Sequence, residues 1–217
     1  MSGMEASESA VIIGAGIGGL AAAIRLAAMG LAVTVIESAD TPGGKARAIP
    51  SPAGPVDTGP TVLTMRAEFD ALFALHGQRL DDHLRLIPLP ILARHFWQDS
   101  PPLDLFPARD ANIEAIHAFA GPREAAAFAR FDRLAQSLLA AFDAPVMRAA
   151  KPDLARIART AALQPRLWPA LMPGISLERL LKLHFRDPRL IQLFARYATY
   201  VGGRSRHALL PVSRANW

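Results

Sequence analysis

Cysteine is absent from the 217 residues, which excludes disulfides, thiolate metal sites and cysteine nucleophiles. The N-terminal MSGMEASES is acidic and polar. It offers neither the basic nor the apolar region of a secretory leader, which predicts a cytoplasmic location. Lysine is scarce, with only Lys45, Lys151 and Lys182, so arginine carries most of the positive charge behind a net +5. That balance permits attraction to anionic lipid but reads first as a compositional habit. No Lys/Arg-rich cluster with interleaved aromatics occurs, which argues against nucleic acid as a partner. His76, His83, His117 and His184 show no metal-ligand spacing with nearby acids, so no metal is expected. No Ser/His/Asp set can be assembled, and no stretch reads as a full transmembrane span.

What is present is concentrated in Ala10 to Glu37, AVIIGAGIGGLAAAIRLAAMGLAVTVIE. Ala10 to Ile13 is a short apolar run rich in β-branched residues, which suits a strand buried on both faces. Gly14, Gly16 and Gly19 then spell GxGxxG, with Gly18 as an extra glycine. Such a turn needs one glycine for the tight bend, one for close backbone approach to a pyrophosphate and one for close helix–strand packing. The helix expected from about Ile17 to Met29 aims its free N–H groups and positive dipole end at that phosphate. Gly30 follows as a C′ residue. Ala32 to Ile36 is a second buried strand, and Glu37 at its end can accept the hydrogen bonds of a ribose diol. Strand, glycine turn, helix, strand and acid together predict a dinucleotide-binding unit. The run is nearly uncharged, but its glycines, Arg25 and the change of period argue against a membrane span.

Downstream, DTPGGKAR (Asp40–Arg47) is a loop whose adjacent Gly43 and Gly44 let backbone approach a ligand. Lys45 and Arg47 can offset phosphate charge there. Ser51 to Pro55 is a turn, and Val56 to Leu63, VDTGPTVL, is strand-like but broken at Gly59-Pro60.

These motifs in this order resemble the start of the FAD-dependent phytoene desaturase and amine oxidase superfamily. GPVDTGPTVLTM, ILARHFW (Ile91–Trp97), LDLF (Leu103–Phe106) and RYATYVGG (Arg196–Gly203) resemble bacterial carotenoid desaturases, in particular the 1-hydroxycarotenoid 3,4-desaturases. The resemblance runs from about residue 9 to about residue 203. It implies FAD rather than NAD, with the pyrophosphate on Gly14, Gly16 and Gly19 and the adenosine ribose on Glu37. It also implies that Gly44, Lys45 and Arg47 lie near the phosphates and ribityl chain, and that Gly59, Pro60 and Thr61 pass close to the isoalloxazine ring. The implied partners are an acyclic carotenoid and, peripherally, the cytoplasmic membrane surface. No catalytic side chain is identified. Sister desaturases or isomerases, a non-enzymatic nucleotide-binding chain and an NAD-dependent dehydrogenase are the competing readings.

The expected fold class is α/β: a Rossmann-like FAD-binding βαβ unit (residues 1–65) followed by a mixed α+β substrate-binding region (66–203). Thr64 can cap a helix to about His76, with Gly77 ending it. Leu84–Ile87, Ala93–Gln98 and Leu103–Phe106 are short strand candidates separated by prolines. Asp110 opens a helix to Ala120, and Pro122 a longer one to about Phe142. Ser176 caps a further helix, and Asp187-Pro188 starts one running to Val201. His95, Phe96, Trp97, Tyr197 and Tyr200 could line a polyene tunnel, although ordinary packing explains them as well. Leu163 to Phe185 mixes Trp168, leucines, prolines and cations, which suits either a membrane interface or two core helices. Family members are about twice as long, and Arg204–Trp217 does not resemble them. The C-terminal half of the family fold is therefore expected to be missing. The chain alone is then expected to be poorly folded and inactive, because an incomplete sheet leaves unpaired edges and exposed apolar faces.

Overall fold

The computed structural model describes residues 8–60, 63, 65–149, 151, 153–171 and 175–201, which form two compact units divided between Ile87 and Pro88.

The first unit begins with β1 (Ser9–Ile13), α1 (Ile17–Ala28) and β2 (Ala32–Ile36). β1 and β2 pair in parallel, Ser9 opposite Ala32 through Ile13 opposite Ile36. A crossover helix is the connection that parallel neighbours require. Met29 caps α1, and Gly30 takes the left-handed φ of 91° that closes it. Gly19 sits where helix and strand touch: a Cβ there would strike the carbonyl oxygen of Gly14 and come within 3.4 Å of Ile12 Cγ2.

The expectation that both strands are buried does not hold. Val11, Ile13, Val35 and Ile36 are exposed, Ile13 at 88%. Among the described residues the sheet has two strands only, so no further layer removes these side chains from water. Next comes a two-residue pair, β3 (Ala48–Ile49) against β4 (Val56–Asp57), antiparallel. It is closed by the Ser51–Gly54 turn, where Ser51 Oγ donates to the Gly54 carbonyl at 2.6 Å. α2 (Arg66–Ala74) follows. Thr64, the expected cap, lies outside the described residues; Met65 precedes the helix with a left-handed φ of 54°. His76 Nε2 donates to the Ile24 carbonyl at 3.0 Å, tying the end of α2 to α1. Leu84–Ile87 is not a strand: it finds no ladder partner among the described residues.

The second unit starts with a hairpin of β5 (Ala93–Trp97) and β6 (Ser100–Leu105), antiparallel, with Trp97 opposite Ser100. Pro101 and Pro102 therefore lie inside a strand rather than separating two. Among the described residues this sheet has two strands, and an edge with an irregular register near Trp97 tolerates prolines that cannot donate. Arg94 spans the pair with a two-pronged bond to Asp104, at 2.6 and 2.7 Å.

α3 (Arg109–Ala120) and α4 (Pro122–Phe142) join at Gly121, whose φ of 89° turns the chain, with Pro122 at the first helical position of α4. α5 (Leu154–Leu163), α6 (Trp168–Leu171), α7 (Leu177–His184) and α8 (Pro188–Ala195) follow. The α-helix expected to reach Val201 ends at Ala195, and Arg196–Val201 tightens into a 3-10 helix. Asp153, Ser176 and Asp187 each cap a helix by accepting a backbone N–H.

The core of this unit gathers Leu103 and Leu105 of the hairpin, Ile116, and the rings of Phe128, Phe131, Phe185 and Phe194. Ring centroids of these phenylalanines lie 5.2 to 5.8 Å apart, a spacing that adds to the area they bury. Glu124 is the buried charged residue among those described. Its carboxylate accepts the N–H groups of Arg186 and Asp187 at 3.2 to 3.4 Å, pinning the α7–α8 connection onto the start of α4.

In the Leu163–Phe185 stretch, Leu180, Leu181 and Phe185 are core residues, while Leu163 (70%) and Leu183 (67%) face outward. No described helix is long and apolar enough to cross a membrane. Trp97 packs on Phe119 and donates to Gln192 Oε1 at 2.9 Å, and Tyr197 rests against the core. Phe96 is on the surface. His95 faces Arg196 at 3.4 Å; burial first, then that guanidinium, lowers its pKa, partly offset by Asp104.

Candidate dinucleotide-binding site

Three stretches of the first unit build the site: the glycine turn, a loop fastened to it, and a segment that packs on that loop. The first is the turn itself. Gly16 is the N-cap of α1 but supplies no side chain, and the first helical turn carries no acid. The leading N–H groups are thus uncapped, the condition in which a helix start attracts an anion. A Cβ on Gly18 would meet nothing within 4 Å, and one on Gly16 only Gly44 Cα at 4.0 Å. The protein's own packing does not demand glycine at either position. The space that a Cβ would fill is left for something outside the chain.

The second stretch is Glu37 to Arg47. Glu37 accepts from the N–H of Ala39 at 2.9 Å, from the N–H of Ala15 at 2.7 Å and from Ser38 Oγ at 3.2 Å. These bonds, Ala39 first, hold its carboxyl below the ordinary value, since donors to a carboxylate favour the charged form. The loop beyond is stitched to the glycine turn: Gly43 N–H donates to the Ala15 carbonyl at 2.8 Å. A Cβ on Gly44, whose φ is 59°, would sit 3.0 Å from Gly16 Cα. Glu37, Thr41, Gly44, Lys45 and Arg47 line a cleft of about 390 Å³.

The third stretch is Thr58 to Pro60. Together with Lys45 and Arg47 it lines a second cleft of about 380 Å³. Lys45 and Arg47 are exposed and border both clefts. Neither has a carboxylate partner among the described residues. The structure thus brings Glu37, Gly44, Lys45, Arg47, Gly59 and Pro60 around two spaces that share a pair of cations. Thr61 lies outside the described residues. Ser38 and Thr58 belong to the site without having been singled out from the sequence. Thr58 stands directly before Gly59-Pro60, and a hydroxyl where the strand-like run is interrupted was the available signal.

Among the described residues there is no cluster of three or more metal-ligating side chains.

A parallel strand–helix–strand with an uncapped, glycine-lined helix start and an acid at the second strand's end defines a Rossmann-like dinucleotide-binding unit. Residues 12–78 match the family model described as an NAD(P)-binding Rossmann-like domain. Over nearly the whole chain the sequence is similar to curated carotenoid enzymes. The hydroxyneurosporene desaturase of Rhodobacter capsulatus is 63% identical over 201 residues, 93% of this chain and 41% of the relative. That of Rubrivivax gelatinosus is 48% identical over 196 residues, 88% of this chain and 37% of the relative. The phytoene dehydrogenase of Streptomyces griseus is 36% identical over 211 residues, 93% of this chain and 39% of the relative. The chain belongs to the carotenoid desaturase family. It spans about two fifths of the length of these relatives.

Proposed function

We propose that the protein to which this sequence belongs is an FAD-dependent desaturase of an acyclic 1-hydroxycarotenoid, introducing a double bond at the 3,4 position. The observation that carries this reading is the 63% identity to a hydroxyneurosporene desaturase across 93% of the chain. FAD fits the residues present: open space at Gly16 and Gly18 for a pyrophosphate, a carboxylate at Glu37 for a ribose, and the exposed cations Lys45 and Arg47, which have no carboxylate partner among the described residues. Gly14, Gly16, Gly18 and Gly19 would hold the pyrophosphate, and Gly44, Lys45 and Arg47 the phosphates and ribityl chain. Gly59, Pro60 and Thr61 would lie toward the flavin ring. When bound, FAD supplies a hydride acceptor for dehydrogenation. The chain's own contribution is to bind, orient and exclude water. On this reading residues 1–65 form the flavin-holding segment and 66–203 the first part of a substrate-binding region.

We read the second unit as touching the membrane surface that holds so insoluble a substrate. Exposed Leu163 and Leu183, with Trp168 half out of the surface and exposed Arg166 and Arg179 in the same stretch of sequence, support this.

The test has two parts. The absorption spectrum of the purified chain, before and after heat release of ligand, reports whether flavin is bound. Product analysis on liposomes carrying hydroxylated or plain acyclic carotenoids then separates this substrate class from that of the phytoene enzymes. Turnover of the plain substrate alone would overturn the assignment, and retention of NAD(P) instead of flavin would overturn the cofactor.

A further inference from the structure

Gly59 does not need to be glycine for the sake of its own turn. The reason lies across the chain: a Cβ on Gly59 would strike the carbonyl oxygen of Lys45 and sit 2.8 Å from its carbonyl carbon and 2.9 Å from Ala46 Cα. These are backbone atoms, which cannot swing aside as a flexible side chain would. The neighbouring residue makes the same connection with hydrogen bonds. Thr58 donates twice to the Arg47 carbonyl, from its N–H and from Oγ1, each at 2.9 Å. On its other side the same loop is fastened to the glycine turn, through Gly43 N–H to the Ala15 carbonyl and the close approach of Gly44 to Gly16. Residues 43–47 are thus a strap held between two backbones, and the cations that line the two clefts among the described residues, Lys45 and Arg47, belong to it.

We propose that Thr58-Gly59 is a positioning element that sets Lys45 and Arg47 against the phosphates of the bound dinucleotide, acting through the strap's backbone rather than by contact with the ligand. The proposal rests on the dinucleotide reading of the site and differs from the family expectation that glycine is needed here for approach to the flavin ring. Adding a methyl group at Gly59 pushes the strap away and carries both cations with it. Losing the Thr58 hydroxyl removes one of two bonds and loosens it less.

Two measurements on the full chain test this. Limited trypsin digestion without ligand, read by mass spectrometry, reports the strap directly, because trypsin cuts after Lys45 and Arg47. Gly59→Ala is expected to speed those two cuts severalfold relative to cuts in the second unit. Thr58→Val should speed them less, and Thr58→Ser should restore the wild-type rate. Equal rates in all variants overturn the proposal, whether or not flavin binds. The second measurement is FAD titration of Gly59→Ala, Lys45→Ala/Arg47→Ala and the triple variant. Gly59→Ala should weaken binding and flatten its dependence on ionic strength, yet cost nothing further once both cations are gone. Multiplying losses would mean that Gly59 meets the ligand itself, and would overturn the proposal. If the wild-type chain takes up no FAD, it is the cofactor reading that fails, and the digestion still decides the role of Thr58-Gly59.

Discussion

The main-chain N–H of Ala15 donates to Glu37 Oε2 at 2.7 Å, so the residue between the first two glycines of the turn is held by the acid that ends the second strand. The carboxylate expected to receive a ribose also shapes the loop expected to receive the pyrophosphate. Its other oxygen accepts from Ala39 and Ser38. Glu37→Gln keeps the shape but offers a weaker acceptor at one oxygen and an unwanted donor at the other. It should reduce dinucleotide affinity at neutral pH, measurable by titration.

The same bonds make a pH prediction. Hydrogen bonds from Ala39, Ala15 and Ser38 lower the Glu37 pKa from 4.5. A carboxyl depressed in the folded state stabilises the fold fully above its unfolded value, and that stability is lost as pH falls through the folded value. In thermal melts the wild-type chain should therefore lose stability more steeply below about pH 4.5 than Glu37→Gln does. Parallel pH profiles would show that these bonds do not form in solution.

The glycines of the turn separate into two kinds. A Cβ on Gly19 collides with the Gly14 carbonyl, so Gly19→Ala should cost about 1–3 kcal/mol in denaturant unfolding. Gly18 lies in α1 with open space around it, and Gly18→Ala should gain about 0.5–1 kcal/mol from the lower chain entropy of alanine. Gly16→Ala should leave the fold intact yet remove flavin retention, because the new methyl group occupies the phosphate's space. Loss of stability with Gly16→Ala, or retained flavin, would contradict this division.

What the sequence made legible was local. The βαβ unit could be read because glycine spacing, strand period and helix period all lie within 28 consecutive residues, Ala10 to Glu37. The helices starting at Pro122, Ser176 and Asp187 could be read because capping is written beside the helix it starts. Contacts across the chain could not. That Glu37 reaches back to Ala15, and that Gly59 is glycine because of Lys45, depends on where separate loops come to rest. Pro101 and Pro102 misled for the same reason: a proline is excluded from a strand only on the side that must donate, and that side is set by the partner. Leu84–Ile87 has strand-like composition but no partner strand, and composition alone does not supply one. The exposure of β1 and β2 is likewise invisible in residues that read as buried.

Glu124 carries a stability prediction for the second unit. It is buried, and the N–H groups of Arg186 and Asp187 point at its carboxylate. Glu124→Ala removes the acceptor of both donors and should cost about 1–3 kcal/mol in urea unfolding. Glu124→Gln keeps an acceptor oxygen and should cost less. Equal losses for the two would show that one amide oxygen of the same side-chain volume cannot replace the charged carboxylate at that site.

Leu163 and Leu183 carry the last prediction. Both are largely exposed, at 70% and 67%, in the last turns of α5 and α7. An exposed leucine contributes little to the folded state, so Leu163→Ser/Leu183→Ser should change the melting temperature little. If these side chains enter a bilayer interface, each removes about 1–2 kcal/mol of membrane affinity when replaced by serine. Co-sedimentation with vesicles containing anionic lipid should then fall sharply for the double variant, and should fall for the wild type as salt screens the arginines. Undiminished sedimentation of a well-folded double variant would remove these leucines from the membrane contact. Sedimentation lost by salt alone would leave the arginines as its whole basis.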